Sequence, residues 1–327
     1  MRIVIACMAI VFVLSGCAST RHGPSNVPSE IAKDVGLAKT SPVHIPVREN
    51  GVIGTFVVPD KTRVYPGVLR IGGAEGGVSV VDAETMASEG YAVLAIAYFG
   101  MEGLPADLEE VPLEYFGKAI AWMKSSPNVD SSRLAVVGIS RGSTLALLLP
   151  TIYDDFDAVV ALAPSHVTWQ SSYLDWDRYA ERSSFTWRGK AMPYVPYDFS
   201  NEAAMVGCDE TAACAKMYGH SLKQHDRVRD ALIPVEQIHA PILLLSGKAD
   251  SMWPSSAMGD LIMQRLDQAK HPYEHRHFAY ENAGHCGINR CYDHVPLGGD
   301  QAATEDMRRQ LIQFLNHHLL PKQDARP

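Results

Sequence analysis

From residue 43 onward the chain alternates between short apolar runs and amphipathic stretches. VHIPVREN and GVIGTFVVPD, over residues 43–60, are short strands, and the Asn50-Gly51 step between them is the strongest short hairpin signal. PGVLRIGG (66–73), YAVLAIAY (91–98), LAVV (134–137), AVVALAP (158–164) and PILLLS (241–246) are near-continuous apolar runs. Such runs predict strands buried on both faces. Residues 273–280 are more polar and predict an edge strand.

Helical spacing fills the gaps. A helix is expected over about 80–88, closed by Gly90. Another runs over 113–124, with Leu113, Phe116, Ile120 and Met123 on one face. Others follow over 145–149, 255–269 and 304–319. Thr304 would cap the last, with Glu305 and Asp306 at its positive end and His317 and His318 at its negative end. Strand–helix alternation with two-faced strands means an α/β fold, a mostly parallel sheet covered on both sides. The alternation breaks over 165–240, which carries Trp169, Trp176, Trp187, Pro193 and Pro196. That stretch is too long for a plain loop and predicts an insertion over the sheet.

Composition adds compartment and excludes partners. The 327 residues are 46% hydrophobic and 20% charged, with net charge −8, so nucleic acid and polybasic membrane contacts are not expected. Met1-Arg2, an apolar run over 3–14 and then Leu14-Ser15-Gly16-Cys17 describe a secretory signal. LSGC resembles the lipobox of bacterial lipoproteins. The resemblance implies cleavage after residue 16, a diacylglyceryl group on Cys17, and, with Ala18 next, the outer membrane of the cell envelope. Residues 17–42 then form a lipidated tether, 43–322 the folded α/β domain with 165–240 as its insertion, and 323–327 a tail. In an oxidising periplasm Cys208, Cys214, Cys286 and Cys291 fall into two close pairs, which suggests disulfides 208–214 and 286–291, although three connectivities are open. His275, His277, Cys286, Cys291 and His294 fit no usual zinc spacing, so neither a metal nor a cofactor is expected. Nothing in the sequence speaks to oligomeric state.

The chemistry sits at Gly138-Ile139-Ser140-Arg141-Gly142, between a buried strand and an apolar helix. Strand, G-x-S-x-G, helix is a nucleophile elbow. A serine hydroxyl needs a base, and the base an orienting group. Asp250 follows PILLLS, and His285 follows the last strand, so the order is Ser, Asp, His with each at a strand end. An ordinary imidazole, with a pKa of about 6.5, can accept the serine proton near neutrality. Asp260 and Asp267 are alternative acids, and His275 and His277 alternative bases that share one strand face. An oxyanion hole is expected from the Arg141 N–H and from Gly72, or within one residue of it.

Several stretches together resemble the C-terminal catalytic domain of the acyl-CoA thioesterase and bile acid-CoA:amino acid N-acyltransferase family, among the dienelactone-hydrolase-like α/β-hydrolases. They are PGVLRIGGAEGG, YAVLAIAYFG, PLEYFGKAIAWM, VVGISRGS, ALIPVEQIHAPILLLSGKAD with WPS, NAGHCG and LGGDQAATEDMRRQLIQFLNHHL. The resemblance implies an α/β-hydrolase fold and places the triad on Ser140, Asp250 and His285. The family's N-terminal β-sandwich has no counterpart in these residues. Serine at the elbow matches the thioesterases rather than the cysteine of the bile-acid transferase, which implies hydrolysis. Export sets the family's acyl-CoA substrate aside, because acyl-CoA is cytoplasmic. The expectation is an envelope-anchored serine hydrolase of small-molecule esters or thioesters. A peptidase of prolyl-oligopeptidase type and a non-catalytic envelope binding protein are the alternatives.

Cys17→Ser should leave the protein soluble or unprocessed. Membrane fractionation checks this; a wholly soluble mature wild type contradicts it.

Overall fold

The computed structural model describes residues 41–173, 178–200, 214–285 and 301–320. The expected leader, Cys17, the tether up to residue 40, Cys208, Cys286 and Cys291 lie outside these residues. Cys214 is disulfide-bonded.

Val43–Glu49 (β1) and Val52–Val58 (β2) pair antiparallel across the Asn50-Gly51 turn. Both turn residues have positive φ, 53° and 79°, the geometry that matches strand twist in a two-residue hairpin. Tyr65–Ile71 (β3), Ala92–Ala97 (β4), Val129–Ile139 (β6), Ala158–Leu162 (β7), Ile242–Gly247 (β10) and His275–Tyr280 (β11) complete an eight-stranded sheet. Its order is β1-β2-β4-β3-β6-β7-β10-β11. Only the β1–β2 and β2–β4 pairings are antiparallel. The polar β11 is the edge strand, as its sequence predicts.

Strand alternation divides the core in two. Leu69, Leu94, Val136, Val159 and Leu244 face one side, with Phe116, Leu145 and Ile262 from Glu114–Ser125 (α2), Arg141–Leu148 (α3) and Ser255–Gln268 (α6). Their chain neighbours Val68, Val93, Val137, Val160 and Leu243 face the other, with Met86 from Val81–Ser88 (α1) and Met307, Leu311 and Phe314 from Gln301–Leu319 (α7). Both faces are covered, which is why the strands read as unbroken apolar runs. Each buried Val or Leu contributes about 1.5–3 kcal/mol relative to exposure.

Two expectations change. The last helix begins at Gln301, so Thr304 lies within its first turn instead of capping it. Ala302 and Ala303 are strong helix formers that extend it backward, and Ala303 is buried in the core. A small second sheet also goes unseen in the sequence, Val111–Pro112 (β5), Phe185–Trp187 (β8) and Lys190–Ala191 (β9). Strands of two or three residues carry no readable period. They fasten the stretch after residue 165 to the segment before α2. Two short helices, Ala215–Ser221 (α4) and His225–Asp230 (α5), complete the described part of that stretch. Among the described residues no helix is long and apolar enough to cross a membrane.

Two contacts position the future site. At the elbow, a Cβ on Gly138 would stand 2.0 Å from Gly142 O, and one on Gly142 2.3 Å from Gly72 O. The first turn of α3 therefore rests directly on the end of β3. Beyond β3, buried Arg70 donates to Asp82 of α1 through Nε at 3.2 Å and Nη2 at 2.5 Å. This pair brackets the turn over 72–80. Asp82→Ala would leave a buried guanidinium without its carboxylate and should cost about 3–5 kcal/mol, read as a lower urea midpoint. An unchanged midpoint contradicts that account.

Candidate active site

β6 ends at Ile139 and α3 begins at Arg141, so Ser140 alone makes the turn. Its backbone sits at φ 55° and ψ −122°. A residue with a Cβ holds such a conformation at a cost of about 1–3 kcal/mol. The surroundings enforce it: Ser140 N–H donates to Leu162 O at 3.0 Å, and Ser143 Oγ donates to Ser140 O at 2.6 Å.

β10 delivers Asp250. Its carboxylate is nearly enclosed, with the side chain 2% exposed. Oδ1 accepts from Met252 N–H at 2.9 Å and Trp253 N–H at 3.2 Å, and Oδ2 accepts from Ser255 Oγ at 2.5 Å. These donors stand in for lost water around the buried charge. β11 delivers His285 through a turn tied to the Asp250 turn, with Ala249 N–H donating to Ala283 O at 3.1 Å and Lys248 N–H to Tyr280 O at 2.9 Å.

The structure brings the three expected residues into one hydrogen-bonded line. His285 Nδ1 lies 2.9 Å from Asp250 Oδ2 and 3.0 Å from Oδ1. His285 Nε2 lies 2.9 Å from Ser140 Oγ. An ionised carboxylate only accepts, so the Asp250 contact assigns the proton to Nδ1 and leaves Nε2 as the acceptor for the serine O–H. The ring of Trp253 meets His285 edge-on at 5.5 Å. Trp253 stacks on Trp169 at 6.4 Å, and Tyr218 meets both rings. Residues after 165 thus pack against the histidine side of the site as well as on each other. Trp253 and Ser255 belong to the WPS stretch that carries the family resemblance, but the sequence assigns them no role at the site.

In the turn after β3, where Gly72 or a residue next to it is expected to lie near the elbow, Gly73 is the one beside Ser140. Burial holds the Tyr98 phenol well above its usual range, so it stays protonated. It donates to Gly72 O at 3.1 Å and Gly73 O at 2.8 Å. In a trans peptide the N–H points opposite the carbonyl, so the N–H groups of Gly73 and Ala74 face away from Tyr98. Gly73 is the glycine against Ser140: a Cβ there would be 3.1 Å from Ser140 Cβ and 3.5 Å from Oγ. Its N–H donates to Glu75 Oε1 at 3.0 Å. Arg141 opens α3, so its N–H has no acceptor within the helix. Its side chain is 2% exposed and donates to Gln170 O at 2.8 Å and to Tyr197 OH. Among the described residues no carboxylate pairs with this guanidinium.

The alternative residues form a second line elsewhere. Ser246 Oγ lies 2.7 Å from His277 Nε2, and His277 Nδ1 3.0 Å from Asp260 Oδ1. This line is enclosed by packing. Ser246 lies within β10 at 1% exposure, with no elbow and no helix N-terminus beside it. A Cβ on Gly259 of α6 would strike the His277 ring at 2.6 Å, so this glycine lets the ring pack flat on the helix. Burial holds His277 below its usual value against the pull of Asp260. His275 bonds Asp267 at 2.9 Å on the same helix. Both histidines share a face, as the alternation predicts, and serve α6–β11 packing. An apolar cavity of about 250 Å³, lined by His166, Val228, Leu232, Ile233 and Leu261 among others, is not built by the Ser140 line. Burial there pushes His166 down to about 4.

Ser246→Ala should keep full turnover and cost about 1 kcal/mol of stability for the lost hydrogen bond. Ester kinetics and urea unfolding of this variant check it; loss of turnover in a folded Ser246→Ala protein contradicts it.

Comparisons with known proteins bear on the family and the fold. Mouse acyl-coenzyme A thioesterase 6 is 29% identical over 249 residues, covering 74% of this chain and 53% of that protein. Human acyl-coenzyme A thioesterase 6 is 26% identical over 305 residues, covering 86% of this chain and 66% of that protein. The chain spans about half to two thirds of the length of such relatives. Among solved structures, Pyrococcus horikoshii acylaminoacyl peptidase matches with a TM-score of 0.58 at 14% identity, over 88% of this chain and 43% of that one. The metagenomic dienelactone hydrolase-like phosphotriesterase P91 matches with a TM-score of 0.54 at 16% identity, over 85% and 99%. At such identities these two establish the α/β-hydrolase fold. The model of the BAAT / acyl-CoA thioester hydrolase C-terminal family matches residues 111–295, more than half of the chain, and the protein belongs to that family.

Proposed function

We propose that this protein is a serine hydrolase that cleaves carboxylic esters or thioesters through an acyl-enzyme on Ser140. The observation that carries the reading is the unbroken line from Asp250 through His285 to the strained Ser140 hydroxyl. His285 Nε2 takes the Ser140 proton as Oγ attacks the carbonyl carbon. Asp250 holds the ring in the needed tautomer and offsets the imidazolium charge. The carbonyl oxygen becomes an oxyanion facing Arg141 N–H and Gly73 N–H, the latter exchanging the Glu75 carboxylate for it. His285 then returns the proton to the departing alkoxide or thiolate. Water enters by the same steps, releases the acid and restores Ser140.

The named relatives are acyl-coenzyme A thioesterases, which supports thioesters as one substrate class. The LSGC segment supports a second element of the reading: attachment through lipid on Cys17 to the bacterial outer membrane, facing the periplasm. An enzyme there meets esters and thioesters other than cytoplasmic acyl-CoA. Disulfides pairing Cys208 with Cys214 and Cys286 with Cys291 suit that compartment, the second beside His285.

Turnover of p-nitrophenyl esters, an acyl-CoA and a peptide anilide, compared across variants, tests the reading. Ser140→Ala and His285→Ala should each lower kcat by a factor of about 10³–10⁶, and the double variant little further, because the members act as a unit. Asp250→Asn should lose a similar or somewhat smaller factor. Full esterase activity in Ser140→Ala overturns the assignment, and anilide cleavage above ester cleavage would replace the esterase by a peptidase.

A further inference from the structure

The chain just before β11 and the end of α7 bring together three side chains that the chemistry above does not use. Glu274 precedes the strand, and His317 and His318 close the helix. One ligand atom from each lies within 4.8 Å of the other two. His318 Nε2 and Glu274 Oε2 are already 3.5 Å apart. Two donors with metal bonds of about 2.0–2.2 Å in a tetrahedral site stand roughly 3.3–3.5 Å from each other. His318 Nε2 is also fully buried with no hydrogen-bond partner. A buried polar atom left so is uncommon and calls for something to satisfy it.

The surroundings fit a ligand set. Phe314 packs on the His318 ring at 4.5 Å and fixes it. Arg276 Nε donates to Glu274 Oε1 at 2.6 Å, which orients the carboxylate and leaves Oε2 toward His318. Such outer contacts hold metal ligands in place, although this one also spends part of the carboxylate's charge. His317 is exposed, so it offers both an entry path and the freedom to close the remaining distance.

We propose that Glu274, His317 and His318 form a binding site for a borderline divalent cation of the zinc class, with water completing the coordination. Two imidazoles and one carboxylate suit Zn²⁺ or Ni²⁺ and not the all-oxygen preference of Mg²⁺ or Ca²⁺. The cation would join the end of α7, which carries Met307, Leu311 and Phe314 of the core, to the start of β11. His285 follows the other end of that six-residue strand, about 20 Å of extended chain away. The site is therefore one of stability, apart from the Ser140 line.

Untagged full-length protein, stripped with chelator, should be titrated calorimetrically with ZnCl₂ and separately with NiCl₂. One saturable site per chain is expected, with a higher melting temperature when it is filled. His317→Ala, an exposed change that leaves the fold intact, should weaken binding roughly tenfold or more, and Glu274→Gln likewise. His239→Ala, at an exposed histidine bonded to Asp154, should bind as wild type does. No saturable binding by the wild type overturns the proposal. So does binding that survives His317→Ala but is lost in a Cys286→Ser, Cys291→Ser double variant, which would place the cation elsewhere.

Discussion

Everything chemical in this protein depends on how closely the first turn of α3 approaches the end of β3. Gly142 rests on the carbonyls of Ile71 and Gly72, and Gly138 rests on Gly142. No side chain fits between them. That contact forces the chain from strand to helix within one residue, and Ser140 absorbs the change at φ 55°. The strain is stored where the hydroxyl must stand clear of the sheet, and it is held by the Ser140 N–H bond to Leu162 O at the adjoining strand end and by the bond from Ser143 Oγ. The same contact sets Gly73 beside Ser140, so the serine and the neighbouring N–H groups are positioned by one packing event.

Two Ser–His–Asp lines with similar distances differ in what surrounds them. The Ser140 line ends on a strained, half-buried hydroxyl beside a helix N-terminus and a glycine turn. The Ser246 line ends inside a strand, where its oxygen is sealed by the sheet and α6. The acids differ in the opposite sense. Asp250 is enclosed and receives three further donors, whereas Asp260 is largely exposed and belongs to a surface pair. A buried, fully satisfied carboxylate can hold a histidine in one tautomer; an exposed one competes with water.

Much of this was legible in the sequence because the signals were local. Asn50-Gly51 forms the hairpin, and the two-faced apolar runs form the parallel strands. The order Ser140, Asp250, His285 places each residue at a strand end, where the structure has them. The parts not legible depend on contacts distant in sequence. Tyr98 donates to the Gly72 and Gly73 carbonyls from 26 and 25 residues away, a contact no local pattern announces. Gly259 looks like a helix weakness until the His277 ring is found against it. Arg141 is singled out in the sequence for its N–H alone, and the burial of its side chain by the chain after 165 carries no local signal. The β5–β8–β9 sheet is too short for periodicity, and Thr304 is a good cap residue that two preceding alanines overrule.

The most direct test of the central claim is a pre-steady-state burst with a p-nitrophenyl ester, followed by mass spectrometry of the quenched protein. The account predicts p-nitrophenol release approaching one equivalent per chain when deacylation is slow, with the acyl group mapped to the peptide bearing Ser140. An acyl group found on another residue, Ser246 included, or turnover with no acyl adduct even when deacylation is slowed, would contradict it.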